Sequence, residues 1–118
     1  MAKILVVDDD RDILDMVKLL LNTQHYSVET IFKGDQVLEQ AKIFMPDLIL
    51  LDVKLGGHDG RTLCKHIKSV DTLKHIPIIL FSATPGLAET YAECEATDFV
   101  AKPFDAFELI KKIEKHLQ

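Results

Sequence analysis

Nearly continuous apolar runs recur along the chain and predict strands that are buried on both faces. The strongest runs are Lys3–Val7, Leu48–Leu51 and Ile76–Phe81, which are rich in isoleucine, leucine and valine, as expected of strands inside a parallel sheet. Two weaker runs, Tyr26–Ile31 and Asp98–Ala101, lie between helical patterns and predict shorter edge strands. The sequence therefore predicts five strands.

Between these strands the apolar positions recur every three or four residues, which is the period of an amphipathic helix. The apolar stripes consist of Ile13, Leu14, Val17, Leu20 and Leu21 in helix 1, Val37, Leu38, Ala41 and Phe44 in helix 2, Leu63, Ile67 and Val70 in helix 3, and Phe107, Ile110, Ile113 and Leu117 in helix 5. Helix 4 is predicted near Leu87–Glu95, where the apolar positions are sparse. Helix 2 must end before Pro46, and Asp10 and Asp105 are expected to cap helices 1 and 5.

The alternation of strands and helices predicts a parallel sheet whose right-handed crossover connections cover both of its faces. We predict an α/β fold, a flavodoxin-like doubly wound sheet of five parallel strands in the order 2-1-3-4-5 with five helices. A chain of 118 residues has the length of one domain, which we assign to residues 1–118.

Composition narrows the possible partners. The chain has 14 Lys and Arg residues against 19 Asp and Glu residues, a net charge of −5, which opposes binding to nucleic acid and to anionic membrane surfaces. No apolar segment approaches the roughly 20 residues that span a bilayer. Cys64 and Cys94 are thirty positions apart and form no CxxC motif, so we predict buried thiols rather than a zinc site or a redox pair. We expect a soluble, cytoplasmic protein.

Polar side chains follow three of the predicted strands directly. Asp8, Asp9 and Asp10 come after strand 1, Asp52 after strand 3, and Ser82 after strand 4. Ligands of an open parallel sheet bind outside the carboxyl ends of its strands, so these groups are expected to face one crevice. Clustered carboxylates repel one another, and oxygen ligands at this density suit Mg²⁺. We therefore predict a magnesium site.

The crevice should also hold groups that suit a phosphoryl group. Lys102 follows the last strand and can supply a point charge for an anion, and Ser82 adds a hydroxyl donor. Asp52 can act as a carboxylate nucleophile. Together with a divalent ion, these residues predict phosphoryl transfer onto Asp52.

These motifs resemble the receiver domain of bacterial two-component response regulators of the chemotaxis type, over the whole chain. The matching motifs are Asp8-Asp9, Asp52, Asp59-Gly60, Ser82-Ala83 and Lys102-Pro103-Phe104. The resemblance implies a phosphoacceptor signalling domain that catalyses only its own phosphorylation and dephosphorylation. It implies phosphoryl transfer from a histidine kinase or phosphotransfer protein, and output through an effector domain or a separate target protein. From the net charge we expect no direct contact to nucleic acid or membrane.

The resemblance also implies roles for single residues. Asp52 would accept the phosphoryl group, Asp9 and Asp52 would ligate Mg²⁺, Asp8 would act largely through a metal-bound water, and the backbone carbonyl of Lys54 would complete the protein ligands. The Lys102–Pro103 bond is cis in this family.

Other residues would respond to the phosphoryl group. Ser82 and Lys102 would hold its oxygens, and Phe99 occupies the position of the family's switch aromatic, so that the helix 4, strand 5 and helix 5 surface would change on phosphorylation. Lys54 and Thr84 occupy positions that tune the hydrolysis of the acyl phosphate.

Two alternatives remain open at this point. The chain could be a protein-binding module that keeps the receiver fold but signals without phosphate. It could also be a haloacid-dehalogenase-like phosphohydrolase with Asp8 as the nucleophile. The second alternative requires a further acidic pair after the lysine, and only the short segment from Lys102 to Gln118 is left to supply it.

One departure from the family pattern concerns the segment after Asp52. Family members often have a proline four residues after the acceptor, whereas this chain has Gly56 followed by Gly57. Glycine has more backbone freedom to lose on ordering, so we expect a looser loop and a modest metal affinity.

Overall fold

Five parallel strands form the central sheet of the structure, a computed structural model that describes residues 1–117. The strands are β1 (Lys3–Val7), β2 (Ser27–Ile31), β3 (Leu48–Leu51), β4 (Ile78–Ser82) and β5 (Asp98–Ala101). They are arranged in the order β2-β1-β3-β4-β5, and every neighbouring pair is parallel. The predicted flavodoxin-like fold class and strand order are confirmed.

Within residues 1–117, four α-helices connect the five strands in turn and a fifth follows β5. They are α1 (Arg11–Thr23), α2 (Val37–Phe44), α3 (Gly60–Ser69), α4 (Leu87–Thr90) and α5 (Ala106–His116), with short 3-10 turns at Gly34–Gln36 and Tyr91–Cys94. Among residues 1–117, no helix combines the length and the apolar character needed to cross a membrane.

The ends of the helices agree with their expected capping residues. The Asp10 carboxylate accepts hydrogen bonds from two backbone N–H groups at the start of α1, and Asp105 accepts one at the start of α5. Asp59 caps α3 in the same way. Helix α2 ends at Phe44, and Met45 adopts a left-handed conformation (φ +50°) directly before the proline. The prediction that helix 2 ends before Pro46 is confirmed.

The helix 4 region differs from the prediction. Instead of one helix over Leu87–Glu95, the structure has the four-residue α4 followed by the 3-10 turn Tyr91–Cys94. The start has no side-chain cap, and Glu95 ends the turn with φ +67°. A segment with so few apolar positions gains little from packing, so it does not sustain a longer helix.

The side chains of the sheet divide the core into two layers. Alternate residues of β1 and β3 face α2, α3 and α4 on one side, and the intervening residues face α1 and α5 on the other. All four residues of β3 are fully buried, and burial of each such side chain contributes roughly 1.5–3 kcal/mol before the entropy cost of ordering. The backbone at the end of β3 is therefore held firmly where the next residue, Asp52, begins.

A small hairpin after β3 was not predicted. Lys54–Leu55 pairs with His58–Asp59 in antiparallel fashion across a turn of two glycines. Gly56 supplies the positive φ of this turn (+62°), a conformation that costs glycine little. The two strands of this hairpin are only two residues long, so no alternating apolar pattern in the sequence predicts them.

Candidate functional site

The carboxyl ends of β1, β3, β4 and β5 surround a cleft of about 260 Å³. Its lining residues are Asp8, Asp9, Asp10, Ile13, Asp52, Lys54, Ser82, Ala83, Thr84 and Lys102. The sequence had predicted that polar groups after separate strands would meet at one edge, and the structure brings them together there. Phe99 is the one residue of the predicted set that lies outside this cleft.

Three carboxylates converge at the floor of the cleft. Asp8, Asp9 and Asp52 each offer an oxygen atom, and these oxygens lie within 4.8 Å of one another. Asp8 is fully buried and Asp52 is 5% exposed, whereas Asp9 is open to solvent. Burial raises the pKa of Asp8, and the nearby charge of Asp52 raises it further, although Lys102 and a backbone N–H act in the opposite direction. The cluster therefore favours a bound cation.

Lys102 is the cation that two of these carboxylates, Asp8 and Asp52, contact in the structure. Its Nζ atom donates to Asp8 Oδ2 at 2.7 Å and to Asp52 Oδ2 at 3.2 Å. Burial alone would lower the pKa of Lys102, but its hydrogen bond to Asp8 and the two carboxylate charges raise it. The Lys102–Pro103 peptide bond is cis, as the resemblance implied. With all groups ionised, three carboxylates and one ammonium leave a formal charge of −2 in the cleft.

The hydroxyl groups at the end of β4 form a pair. Ser82 Oγ lies 2.8 Å from Thr84 Oγ1, and the backbone N–H of Thr84 donates to Ser82 Oγ at 3.2 Å. Ser82 is 3% exposed, so its few contacts fix where its hydroxyl can point. The Ser82 hydroxyl is thus positioned at the wall of the cleft by the residue two places later.

Gly60 has a role that the sequence analysis did not assign. A Cβ atom at this position would lie 1.9 Å from the backbone carbonyl oxygen of Asp52. The Gly60 N–H also donates to the carbonyl oxygen of Val53 at 2.6 Å. Only glycine allows α3 to begin this close to the backbone that carries Asp52. The one signal in the sequence is a glycine directly after the capping residue Asp59.

Phe99 lies on β5, away from the carboxylates. Its ring packs against the ring of Tyr91, with 5.0 Å between the centroids, and Lys112 Nζ lies 4.5 Å from the ring centroid. The Lys112 ammonium also donates to the backbone carbonyl of Phe99. Phe99 is half-buried and therefore joins β5 to the segment after α4 and to α5.

Comparisons with known proteins agree with this geometry. The family model described as "Response regulator receiver domain" matches residues 4–114. The response regulator PleD of Caulobacter vibrioides is 37% identical over 114 residues, which are 95% of this chain and 25% of PleD. The chain thus spans about a quarter of the length of that relative.

Two solved structures show the same fold along nearly the whole chain. A putative response regulator from Chloroflexus aurantiacus J-10-fl superposes with a TM-score of 0.91 at 34% identity, covering 98% of this chain and 97% of that chain. The chemotaxis response regulator CheY4 of Vibrio cholerae superposes with a TM-score of 0.90 at 29% identity, covering 98% of both chains.

Proposed function

The chain belongs to the response regulator receiver domain family, whose members are regulatory phosphoacceptor domains rather than classical enzymes, and from this membership we propose that Asp52 accepts a phosphoryl group in a two-component phosphorelay. The observation that carries the proposal is the meeting of Asp8, Asp9, Asp52 and Lys102 at the end of a fully buried strand. No single one of these residues would be specific, but their convergence matches what phosphoryl transfer requires.

The proposed reaction forms one bond and breaks one bond. An oxygen of the Asp52 carboxylate attacks the phosphorus of a phosphohistidine on the donor protein, and the nitrogen–phosphorus bond breaks with its electron pair going to the imidazole. The product is an acyl phosphate on Asp52. Lys102, which lies 3.2 Å from Asp52, and the hydroxyl of Ser82 are the donors available to the phosphoryl oxygens.

We propose that Mg²⁺ assists this reaction, because the donor set fits it. Carboxylate oxygens from Asp8, Asp9 and Asp52 are hard ligands, and one of them, on Asp9, is open to solvent, which leaves room for the waters that Mg²⁺ retains. The backbone carbonyl of Lys54 is the further ligand expected in this family. When bound, the ion would supply positive charge that offsets the carboxylates and the incoming phosphoryl oxygens.

The phosphoryl donor is proposed to be a histidine kinase or phosphotransfer protein that docks beside the cleft. An apolar groove of about 510 Å³ shares Ile13, Ala83 and Lys102 with the cleft and is otherwise lined by Met16, Pro103 and Phe104. Because the groove adjoins the cleft that holds Asp52, we propose that the donor protein covers it during transfer. Met16→Asp should therefore slow transfer from the donor protein while leaving labelling by a small phosphodonor unchanged.

The output is proposed to run through the surface formed by α4, β5 and α5, which would bind an effector domain or a separate target. A phosphoryl group adds roughly −1.5 to −2 charge and would draw the Ser82 hydroxyl toward it. The vacated space would allow the Phe99 ring to turn inward. Phosphorylation-dependent partner binding that survives Phe99→Ala would overturn this step.

Two further residues are proposed to set the lifetime of the acyl phosphate. Lys54 and Thr84 both line the cleft, where each can screen the phosphoryl group or obstruct an attacking water. Lys54→Asn with timed phosphate release is the direct test, and an unchanged lifetime would reject a role for Lys54.

The deciding experiment is the intact mass of the protein after incubation with acetyl phosphate and Mg²⁺, followed by peptide mapping. We expect one labile phosphoryl group on Asp52 that is absent without Mg²⁺ and absent from Asp52→Asn. If labelling fails although the protein is folded, a phosphate-independent binding module is favoured instead. Sustained release of inorganic phosphate that depends on Asp8 as nucleophile would indicate a hydrolase.

A further inference from the structure

Two thiols that are thirty residues apart in the sequence meet between α3 and the turn after α4. Cys64 lies on α3, and Cys94 is the last residue of the 3-10 turn Tyr91–Cys94. The Cys64 thiol donates to the backbone carbonyl of Cys94 at 3.2 Å, and the Cys94 thiol donates to the backbone carbonyl of Tyr91 at 3.4 Å. The prediction of two buried thiols is confirmed, whereas their spacing in the sequence made no prediction about their proximity.

The environments of the two sulfur atoms differ. Cys64 is fully buried, whereas Cys94, although only 3% exposed, lines an open cleft of about 240 Å³ whose charged lining residues are Arg61, Lys65 and Glu93. Contact with the neighbouring Cys64 lowers the pKa of Cys94 to about 7 against the effect of burial, with help from backbone N–H groups and the charge of Arg61. The same contact and burial raise the pKa of Cys64.

This asymmetry is the one that a pair of redox-active cysteines needs. The thiolate is the reactive form of cysteine, and reactive cysteines lie in positively charged, accessible surroundings. Cys94 has the accessible cleft and the cations, while Cys64 keeps its proton and lies directly behind it. A sulfenic acid formed on Cys94 would therefore have a second thiol within reach to resolve it.

We propose that Cys94 and Cys64 form an oxidation site for hydroperoxides. The Cys94 sulfur attacks the hydroperoxide, the oxygen–oxygen bond breaks, and the products are a Cys94 sulfenic acid and an alcohol, or water when the oxidant is hydrogen peroxide. The Cys64 sulfur then attacks the Cys94 sulfur, the sulfur–oxygen bond breaks, and water leaves with the Cys64 proton. The two thiols lose two electrons in total, the hydroperoxide gains them, and the product is an intramolecular disulfide.

The disulfide would join α3 covalently to the turn that carries Tyr91. Because the Tyr91 ring packs against Phe99, oxidation would restrain the neighbour of the proposed switch residue. This consequence rests on the proposed function, whereas the thiol chemistry does not.

The test treats the reduced, folded wild-type protein with hydrogen peroxide and follows intact mass and free thiol content. We expect a monomer that has lost two hydrogens, with both thiols disappearing together and returning on addition of dithiothreitol. The apparent rate should rise with pH and reach half its maximum near pH 7, the pKa of Cys94. The proposal would be overturned if both thiols persist in the native protein at a peroxide concentration that oxidises the thiol of a control peptide. It would also be overturned if the only disulfide that forms is intermolecular.

Two variants separate the roles of the cysteines. Cys64→Ser should stop at a sulfenic acid that dimedone captures on Cys94, and Cys94→Ser should leave Cys64 unreactive. If Cys64 in Cys94→Ser reacts as fast as the wild type, the assignment of the attacking thiol is wrong. The wild-type measurement remains decisive where a variant does not fold.

The coupling to the switch is read separately, by acetyl phosphate labelling of the oxidised and reduced wild-type protein. A changed labelling rate supports the coupling, and equal rates overturn the coupling alone. Failure to label Asp52 in either form would count against the proposed function while the mass loss of two hydrogens still reports on the thiols.

Discussion

The first prediction is that Asp8→Asn makes the metal-free protein more stable. Asp8 is fully buried, and its pKa is raised, chiefly by burial, so folding disfavours its charged form. Asparagine has nearly the same shape and can still accept the hydrogen bond that the Asp10 N–H donates to Asp8 Oδ1 at 3.0 Å. The variant leaves no orphaned cation, because Lys102 keeps its contact with Asp52.

The expected gain follows from what neutral replacements of buried charges do. Replacing a buried ion pair by neutral groups is often neutral or stabilising by roughly 1–4 kcal/mol, whereas removing one partner is destabilising when it leaves the other charge unpaired. The second case does not apply here, because Lys102 stays paired with Asp52. The lost ion pair with Lys102 offsets part of the gain, since their atoms lie 2.7 Å apart. We therefore expect Asp8→Asn to raise the free energy of unfolding by about 1–2 kcal/mol at pH 7.5 in EDTA.

The pH dependence has a definite sign. When folding raises the pKa of a carboxyl group, its protonated form stabilises the folded state. This stabilisation is fully present below the unfolded pKa of 3.8 and is lost as the pH rises through the folded pKa. The advantage of Asp8→Asn over the wild type should therefore be largest at neutral pH and fade as the pH falls toward 3.8.

Excess Mg²⁺ should make the wild type more stable than Asp8→Asn. A ligand present at 100 times its Kd stabilises the fold by roughly 2.7 kcal/mol, and the variant has lost one of the three clustered carboxylates. The assay is urea denaturation at pH 7.5 with EDTA or with excess Mg²⁺. Asp10→Asn is the matched control, because Asp10 is an exposed helix cap for which asparagine is equivalent. The reasoning is refuted if Asp8→Asn is less stable than the wild type in EDTA, or if Mg²⁺ stabilises both equally.

Three further predictions concern the frame of the site, and urea denaturation measures each. Gly60→Ala should lower the free energy of unfolding by about 3 kcal/mol, because its Cβ would lie 1.9 Å from the Asp52 carbonyl oxygen. The control Gly57→Ala places its Cβ in open space and should change that free energy by at most about 0.5 kcal/mol, so equal effects would contradict the contact. Lys112→Met should cost about 1 kcal/mol, since the ammonium bonds both a β5 carbonyl and Asp98, and an unchanged midpoint would show that these bonds contribute nothing. Asp98→Asn should lower the free energy of unfolding by about 1 kcal/mol at pH 7. Burial opposes ionisation of Asp98, but hydrogen bonds and the Lys112 charge lower its pKa below 3.8. The stabilisation by Asp98 is therefore present above pH 3.8 and is lost as the pH falls through the folded pKa. A difference that persists in more acidic solution would refute that cause.

The elements predictable from sequence are those in which local pattern and burial coincide. The strand Leu48–Leu51 is apolar at every position and is buried at every position, so its pattern left little choice. Its polar successor Asp52 then had to lie at the sheet edge, and the same reasoning located Asp8 and Ser82. The candidate site was therefore predictable in its membership wherever a residue directly follows a central strand.

The features that were missed depend on contacts between segments. The helix predicted over Leu87–Glu95 breaks into two short pieces, because the segment offers few apolar side chains to a tertiary partner. The closeness of Cys64 to Cys94 arises from the packing of α3 against the turn after α4, and spacing along the chain carries no information about it. The contact between Gly60 and the backbone of Asp52 is likewise tertiary, and a single glycine does not reveal which neighbour requires it.

The charge balance of the cleft explains how a stable fold can keep a reactive site. Buried carboxylates oppose folding unless they are paired, and Lys102 supplies that pairing by bridging Asp8 and Asp52. The pairing is incomplete, because Lys102 contacts two of the three clustered carboxylates, and the three carboxylates and one ammonium together leave a formal charge of −2. A divalent cation has the charge that completes it, and its binding would leave the lysine free to contact an anion. Under the proposed function, Lys102 thus stabilises the metal-free cleft and then contacts the phosphoryl group, since the two tasks require its charge at different times.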